Sequence, residues 1–305
     1  MTVDVATEIV ATEIFEEHRP VLTGVAYRML GRVADAEDVV QEAWLKWSAA
    51  AREGVREPRA FLVRITTRLA IDRLRRLRSR RETYPGVWLP EPLVTDFGPT
   101  LPDTAERAVL ADSVSLAVLV VLESLSPLER AVFVLREAFG FPYAEIAAAL
   151  DRTEAAVRQL ASRARRHVEE RKPRYDVDPA ERRDLTERFL AAASGGGIEQ
   201  LLSLLSLLSL LAPDVRLVGD GGGRAKAARR VIETAGKVGR FLFAVAGALD
   251  PGGEIRVMEL NGGPAVVHFI GGKADTVFQI EVGQGVIQCA YIIRNPDKLS
   301  GLPVV

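Results

Sequence analysis

The sequence predicts a multidomain chain in which two all-α domains are followed by an α+β domain. Three observations carry that reading. Apolar residues recur at three- and four-residue spacing up to about Arg81; a proline- and glycine-rich break over Tyr84–Pro102 precedes a second helical block, Thr104–Lys172; and beyond Lys172-Pro173 the text changes to Gly-bounded runs rich in Val, Ile and Phe. The divisions fall at residues 1–82, 83–104, 105–173 and 174–305, since 305 residues exceed one typical core. With 48% hydrophobic and 27% charged residues the chain can bury real cores, and its net charge of −1 hides a strong segregation of sign. The single cysteine, Cys289, excludes an internal disulfide, and the opening MTVDVATEIVATEIF has acids where a targeting peptide has Lys or Arg; a cytoplasmic location is the expectation. The longest apolar stretch, Ile198–Ala212, is interrupted by serines and is shorter than the roughly 20 residues of a membrane-spanning helix, so no membrane association is expected.

In the first block no proline occurs between Val21 and Glu57, which leaves room for long helices. Asp35, Glu37, Asp38 and Glu42 make one of them acidic, with Trp44 and Trp47 as aromatics available to a protein partner. Its opposite follows. Arg64, Arg68, Arg75 and Arg78 lie at i, i+4, i+11 and i+14, within about 80° of one helix face, and Arg73, Arg76, Arg80 and Arg81 add charge around it. Against the lone Asp72, such a density of Arg predicts a phosphate-binding surface rather than an ion-paired one.

The linker holds Pro85, Gly86, Pro90, Pro92, Gly98, Pro99 and Pro102, which favour an extended path over a surface. In the second block Ser126-Pro127-Leu128-Glu129 is a helix start, with Ser as N-cap, Pro at the first helical position and Glu placed to return a hydrogen bond. Gly140–Leu150, the turn Asp151-Arg152-Thr153 and Glu154–Arg166 have the layout of a helix-turn-helix. Ala147 and Ala148 allow close approach, and Ile146, Leu150, Val157 and Leu160 form the seam. Thr153, Arg158, Gln159, Ser162, Arg163, Arg165 and Arg166 then present donors for base edges and phosphates, as a helix in the major groove requires.

The last third reads as helices followed by strands at Ala265–Ile270, Thr276–Val282 and Val286–Ile293. Its Leu201–Leu211 run, LLSLLSLLSLL, spreads Ser203, Ser206 and Ser209 over roughly 120° of a helix and predicts burial within the domain. His268 sits in a strand-like run, where a packing role is expected. Asp220-Gly221-Gly222-Gly223 lacks the Lys-Ser or Lys-Thr ending of a phosphate loop and reads as a tight strand-end turn.

Three phrases resemble the extracytoplasmic-function sigma factors in the correct order: DAEDVVQEAWLKW their region 2.2, PRAFLVRITTRLAIDRLRRLR regions 2.3 and 2.4, and LSPLERAVFVLREAFGFPYAEIAAALDRTEAAVRQLASRARRHV region 4. The resemblance implies a helical region 2 bundle, a region 4 helix-turn-helix, and core RNA polymerase and promoter DNA as partners. Asp35, Asp38, Gln41, Glu42 and Trp44 would face polymerase. Gly54 to Arg59, with Arg56 and Arg59, would form a loop that captures a flipped base, beside Arg64, Arg68, Asp72, Arg75 and Arg76. Thr153, Arg158, Gln159, Ser162, Arg163 and Arg166 would read the upstream element, although Ala155, Ala161 and Ser162 are smaller than the residues often found there, so the promoter sequence does not follow. The final third resembles the cone-shaped SnoaL-like extension of one subgroup, through Trp88-Leu89-Pro90-Glu91-Pro92, Asp220 with its glycines, and Asn295-Pro296-Asp297-Lys298-Leu299. In that subgroup the extension has a regulatory role, here expected to act by packing on the DNA-binding domains and on the linker, with Trp88 as anchor. No catalytic residue, metal or cofactor is implied, and a small-molecule ligand of the extension is left open. A ligand-responsive helix-turn-helix regulator would leave the acidic helix and the arginine stripe unassigned; a DNA-binding head fused to a SnoaL-like isomerase or hydrolase would need an acid-base cavity.

Overall fold

The computed structural model of the chain describes residues 5–50, 55–81, 83–95, 115–171, 178–193 and 206–303. The start of the loop at Gly54, the linker beyond Thr95 and the first part of the Leu/Ser repeat lie outside them. Two compact units result: Met1–Glu82 with Val118–Lys172, and Thr83–Ala117 with Pro173–Val305.

The first unit is all helical. Helices α1 (Val5–Leu30), α2 (Val33–Ser48) and α3 (Pro58–Arg81) pack on one another around Phe15, Leu22, Met29, Leu30, Leu62 and Leu74, all inaccessible to solvent. Helix α4 (Leu116–Leu122) leads to α5 (Pro127–Phe133), which starts as predicted. The Ser126 hydroxyl accepts from the Glu129 N–H, and the Glu129 carboxylate accepts from the Ser126 N–H. A π-turn at Val134–Ala138 follows, then α6 (Tyr143–Leu150) and α7 (Glu154–Arg171). The turn between them rests on Asp151 in the left-handed region, φ 55°, which Asp tolerates better than most side chains. Helix α3 packs against both α5 and α6, so the two helical blocks of the sequence form one unit.

In the second unit, α8 (Pro179–Ala193) precedes a helical segment over 206–210 and then β1 (Leu211–Asp220), β2 (Ile232–Glu233), α9 (Ala235–Ala246), β3 (Glu254–Leu260), β4 (Gly263–Ile270), β5 (Lys273–Gly283), β6 (Val286–Ile293) and α10 (Pro296–Leu299). The sheet order is β2-β1-β6-β5-β4-β3, with β1 and β6 parallel and every other neighbour antiparallel. Phe189 of α8 stacks on Phe278 of β5 at 4.2 Å, and Leu207, Leu210, Val238 and Leu242 complete the layer over that face. In the described part of the Leu/Ser repeat Leu207, Leu210 and Leu211 are buried and Leu208 is half-buried against the same core, and Leu211 already belongs to a strand. Strands β2 and β3 escaped the sequence reading, and of β1 only its end at Asp220 was read. Pro213 and the charged Asp214 and Arg216 break the apolar run of β1, and β3 carries Glu254, Arg256 and Glu259 on an edge.

Candidate nucleic-acid interface and linker clasp

Helix α7 separates its faces cleanly. Val157, Ala161, Ala164 and Val168 are buried, whereas Arg158, Gln159, Ser162, Arg163, Arg165 and Arg166 are exposed. Thr153 caps the helix by accepting from the Ala156 N–H at 3.2 Å. Arg158 lies 4.5 Å over the Tyr143 ring and pairs with Glu154, while Arg165 pairs with Glu137 at 2.7 Å and Arg163 with Glu129 at 3.5 Å. The Arg158 and Arg165 pairs lie at the surface and are worth little each, whereas Glu129 of the Arg163 pair is half-buried in the Ser126 cap.

The arginine stripe of α3 corrects the expectation of a surface free of ion pairs. Arg73 binds Asp35 at 2.6 Å and Asp38 at 2.9 Å, and Arg75 binds Asp72 at 3.1 Å, because α2 and α3 are neighbours in the bundle and bring acid against base. Arg68 donates through Nε to the Ala149 carbonyl at 2.9 Å, and Arg78 donates to the Leu125 carbonyl. Arg64 is half-buried 5.1 Å from the Phe61 ring, and Arg59 lies 4.9 Å over Phe141. Arg56 and Arg76 are exposed.

On α2, Asp38, Gln41 and Glu42 face solvent, but Asp35 does not. At 5% exposure it is a structural partner of Arg73, and its expected place on the polymerase-facing surface is corrected accordingly. Trp47 is likewise core, its Nε1–H donating to the Ala11 carbonyl at 2.9 Å, and Trp44 is half-buried edge-on to Phe15 at 5.1 Å. The exposed apolar residue of this helix is Leu45, 64% accessible.

Sequence reasoning missed Arg130. Fully buried on α5, it donates through Nε to the Arg28 carbonyl at 2.9 Å and through Nη1 to Glu123 at 2.6 Å. Arg28 itself is buried against the Phe139 ring at 4.9 Å, and burial lowers its guanidinium to about 10. Two arginines thus join the helical blocks; an LER triplet in an amphipathic helix carries no sign of it.

The second unit holds the linker. Asp220, at the end of β1, is inaccessible, and its carboxylate accepts from the Tyr84 hydroxyl at 2.5 Å, the Leu89 N–H at 2.8 Å, the Gly222 N–H at 3.0 Å and Lys298 Nζ at 2.6 Å. Lys298, 2% exposed, also donates to the Leu89 carbonyl and sits 4.1 Å from the Trp88 ring. Both polar groups of Leu89 are therefore gripped, one by the acid and one by the base. Asn295 caps α10 by accepting from the Asp297 N–H, donates to the Tyr84 hydroxyl at 2.8 Å, and presses on Gly222 (φ 59°), where a Cβ would overlap its amide. Arg224 pairs with Asp297 at 2.6 Å. Leu89, Pro90, Glu91 and Pro92 are buried and Trp88 is half-buried, so the deepest residue is Leu89 rather than the expected anchor. Farther on, Leu93 exchanges hydrogen bonds with Asn261 and Thr95 joins Glu259, which extends the edge of β3 by a short antiparallel bridge. Tyr84, Asn261 and Thr95 had no motif to mark them.

Two helical modules, one a helix-turn-helix with a basic recognition face, define a transcription initiation factor, and the family models agree: Sigma-70 region 2 matches residues 14–80 and Sigma-70 region 4 residues 115–168. The chain belongs to the extracytoplasmic-function sigma factors, which bind core RNA polymerase and direct promoter recognition. It is 40% identical over 301 residues to the ECF RNA polymerase sigma factor SigJ of Mycobacterium tuberculosis, covering 95% of this chain and 93% of that protein. It is 32% identical to the probable ECF RNA polymerase sigma factor SigI of the same organism over 289 residues, 93% of each chain. The crystal structure of M. tuberculosis SigJ superposes with a TM-score of 0.74 at 38% identity, covering 96% of this chain and all of that one. The C-terminal helices and mixed sheet form its SnoaL-like domain. Among the described residues no helix is long and apolar enough to cross a membrane.

Proposed function

We propose that the SnoaL-like domain regulates this sigma factor by holding its linker, and that the chain acts in the cytoplasm without catalysing a reaction of its own. The supporting observation is the buried Asp220–Lys298 pair closed on both backbone groups of Leu89. Release of about a dozen clasped residues, 84–95, would return roughly 40 Å of reach to the tether between regions 2 and 4. Regions 2 and 4 need that reach to act on separate promoter elements. In the closed helical unit Arg68 and Arg78 are spent on carbonyls of region 4, so DNA has to compete for the cations of the α3 stripe. A compact state of this kind is biased by whatever opens or shortens the tether. Arg158, Gln159, Ser162 and Arg163 are assigned to base and phosphate contacts of the upstream element, Arg56, Arg59 and Arg76 to the downstream one, and Asp38, Gln41 and Glu42 to polymerase. Run-off transcription with core polymerase tests the regulatory part. A chain cut after Lys172 and full-length Trp88→Ala are expected to shift initiation in the same direction; initiation at the full-length rate by both refutes it.

A further inference from the structure

Beyond Asp220 the chain loops back over the end of β1 and encloses, with Pro85 of the linker, a mostly polar pocket of about 330 Å³. Its walls come from loop, strand end and linker, and no residue of α9 lines it. Hydrogen bonds fix the loop. The Gly221 carbonyl accepts from the N–H groups of Arg224 at 2.9 Å and Ala225 at 3.0 Å, and the Lys226 carbonyl accepts from Arg294 Nη1 at 3.2 Å. Gly222 and Gly223 lie in the left-handed region, at φ 59° and 72°, and the turn they permit brings Gly223 so near the linker that a Cβ there would stand 2.6 Å from Pro85 Cγ. A Cβ on Gly86 would likewise lie 3.5 Å from the Arg229 Cα. Loop and linker close the pocket together, so only a clasped linker completes it.

Arg224, Lys226 and Arg229 are exposed and line the pocket, and no acidic side chain does. Arg224 is held by Asp297 at 2.6 Å, whereas Lys226 and Arg229 have no ion-pair partner among the described residues. Asp220, whose charge would repel an anion, is inaccessible and already bonded to Lys298. Even with Asp297 counted, the site keeps an excess of two positive charges in a concave surface, where the field of like charges is focused. That sign excludes a cation. No aromatic ring lines the pocket on which a nucleobase could stack, and its volume exceeds what a single phosphate fills. The guanidinium fork of Arg229 matches two phosphate oxygens, and Lys226 adds a point charge. We propose that this pocket binds a compact small molecule carrying two phosphate groups, through Lys226 and Arg229, and that the bound anion holds the linker in its clasp. Because Pro85 lines the site only in the clasped state, the anion binds that state better than the open one and shifts the population toward it. A role as effector of initiation rests on the regulatory reading above; binding and clasping do not.

Calorimetric titration of the full-length chain with inorganic pyrophosphate tests the site, without divalent metal and at about 0.15 M salt, where diffuse surface attraction is screened. Pyrophosphate is expected to bind at least tenfold tighter than inorganic phosphate, and ADP no tighter than pyrophosphate. Lys226→Glu with Arg229→Glu should abolish binding with the circular dichroism melt unchanged. Lys237→Glu with Arg240→Glu, the same change of charge at exposed positions of α9 outside the pocket, should leave affinity within twofold. At about a hundred times Kd, pyrophosphate should slow hydrogen exchange of peptides spanning Tyr84–Leu93 at least tenfold. No binding of pyrophosphate at millimolar concentration, tighter binding of ADP, binding that survives Lys226→Glu with Arg229→Glu, or binding without added protection overturns the proposal. If binding and protection both appear while the truncated and Trp88→Ala chains initiate at the full-length rate, the regulatory reading falls alone and the pocket stands as an anion site that locks the linker.

Discussion

Lys298→Met is the sharpest test of the clasp, because it keeps the length and most of the volume of a side chain that is 2% exposed while removing its charge and its N–H donors. The Asp220 carboxylate, wholly buried, then keeps the Tyr84 hydroxyl and the Leu89 and Gly222 amides but loses its counter-ion at 2.6 Å. The Leu89 carbonyl loses its donor as well. Removing one partner of a buried pair typically destabilises by about 3–5 kcal/mol, because the remaining charge stays in a medium that solvates it poorly. At 1.36 kcal/mol per decade this corresponds to opening more frequent by roughly two to three and a half orders of magnitude. The Leu89 N–H exchanges with solvent only when the clasp opens, so hydrogen exchange of peptides spanning Tyr84–Leu93 in the full-length chain reads this directly. Asp220→Asn placed on top of Lys298→Met should restore at least half of the lost protection, since the stranded charge is then gone. A change of less than threefold in the single variant would mean that the pair is solvated and that the linker is held by apolar packing of Leu89 and Pro90 instead.

Arg158→Ala should weaken binding to the cognate upstream element by about 1–3 kcal/mol and relax its specificity, whereas Arg166→Ala should weaken binding to all sequences alike and flatten the salt dependence. Titrations of cognate and random duplexes separate the two, and equal losses for Arg158→Ala would displace the recognition helix. Asp38→Arg with Glu42→Arg should abolish association with core polymerase and leave the melting temperature within a few degrees, since both side chains are exposed, while Asp35→Ala should lower it through loss of a buried partner of Arg73. Pull-down and thermal melts check both. Burial, reinforced by Glu281, pushes the Cys289 thiol up to about 12, so at pH 8 it should label with a thiol reagent at least a hundredfold more slowly in the native chain than in guanidinium; similar rates would mean that β6 frays.

Local chemistry made much of this molecule legible. The capping box at Ser126, the turn at Asp151-Arg152-Thr153, the split faces of α7 and the three Gly-bounded strands from Ala265 onward are consequences of near-neighbour periodicity and backbone preference, which a sequence displays directly. The Asp220, Lys298 and Trp88 motifs were visible only through resemblance, and nothing local says that one grips another across separations of 78 to 209 residues.

What the sequence by itself determined is where helices begin, which face of the recognition helix is polar, and that the linker runs extended. The tertiary structure alone decided the fate of each charge. Asp35 and Asp38 carry similar side chains three residues apart on one helix, yet the first is buried on Arg73 and the second is 60% exposed. Arg130 is buried while Arg163 is not, and the acid–base pairs of the clasp and of the α2–α3 contact join residues far apart in the chain. The physical reason is that burial changes the energy of a charge by several kcal/mol, according to which partners the fold brings within about 3 Å, and those partners come from sequence-distant elements whose meeting no local pattern encodes.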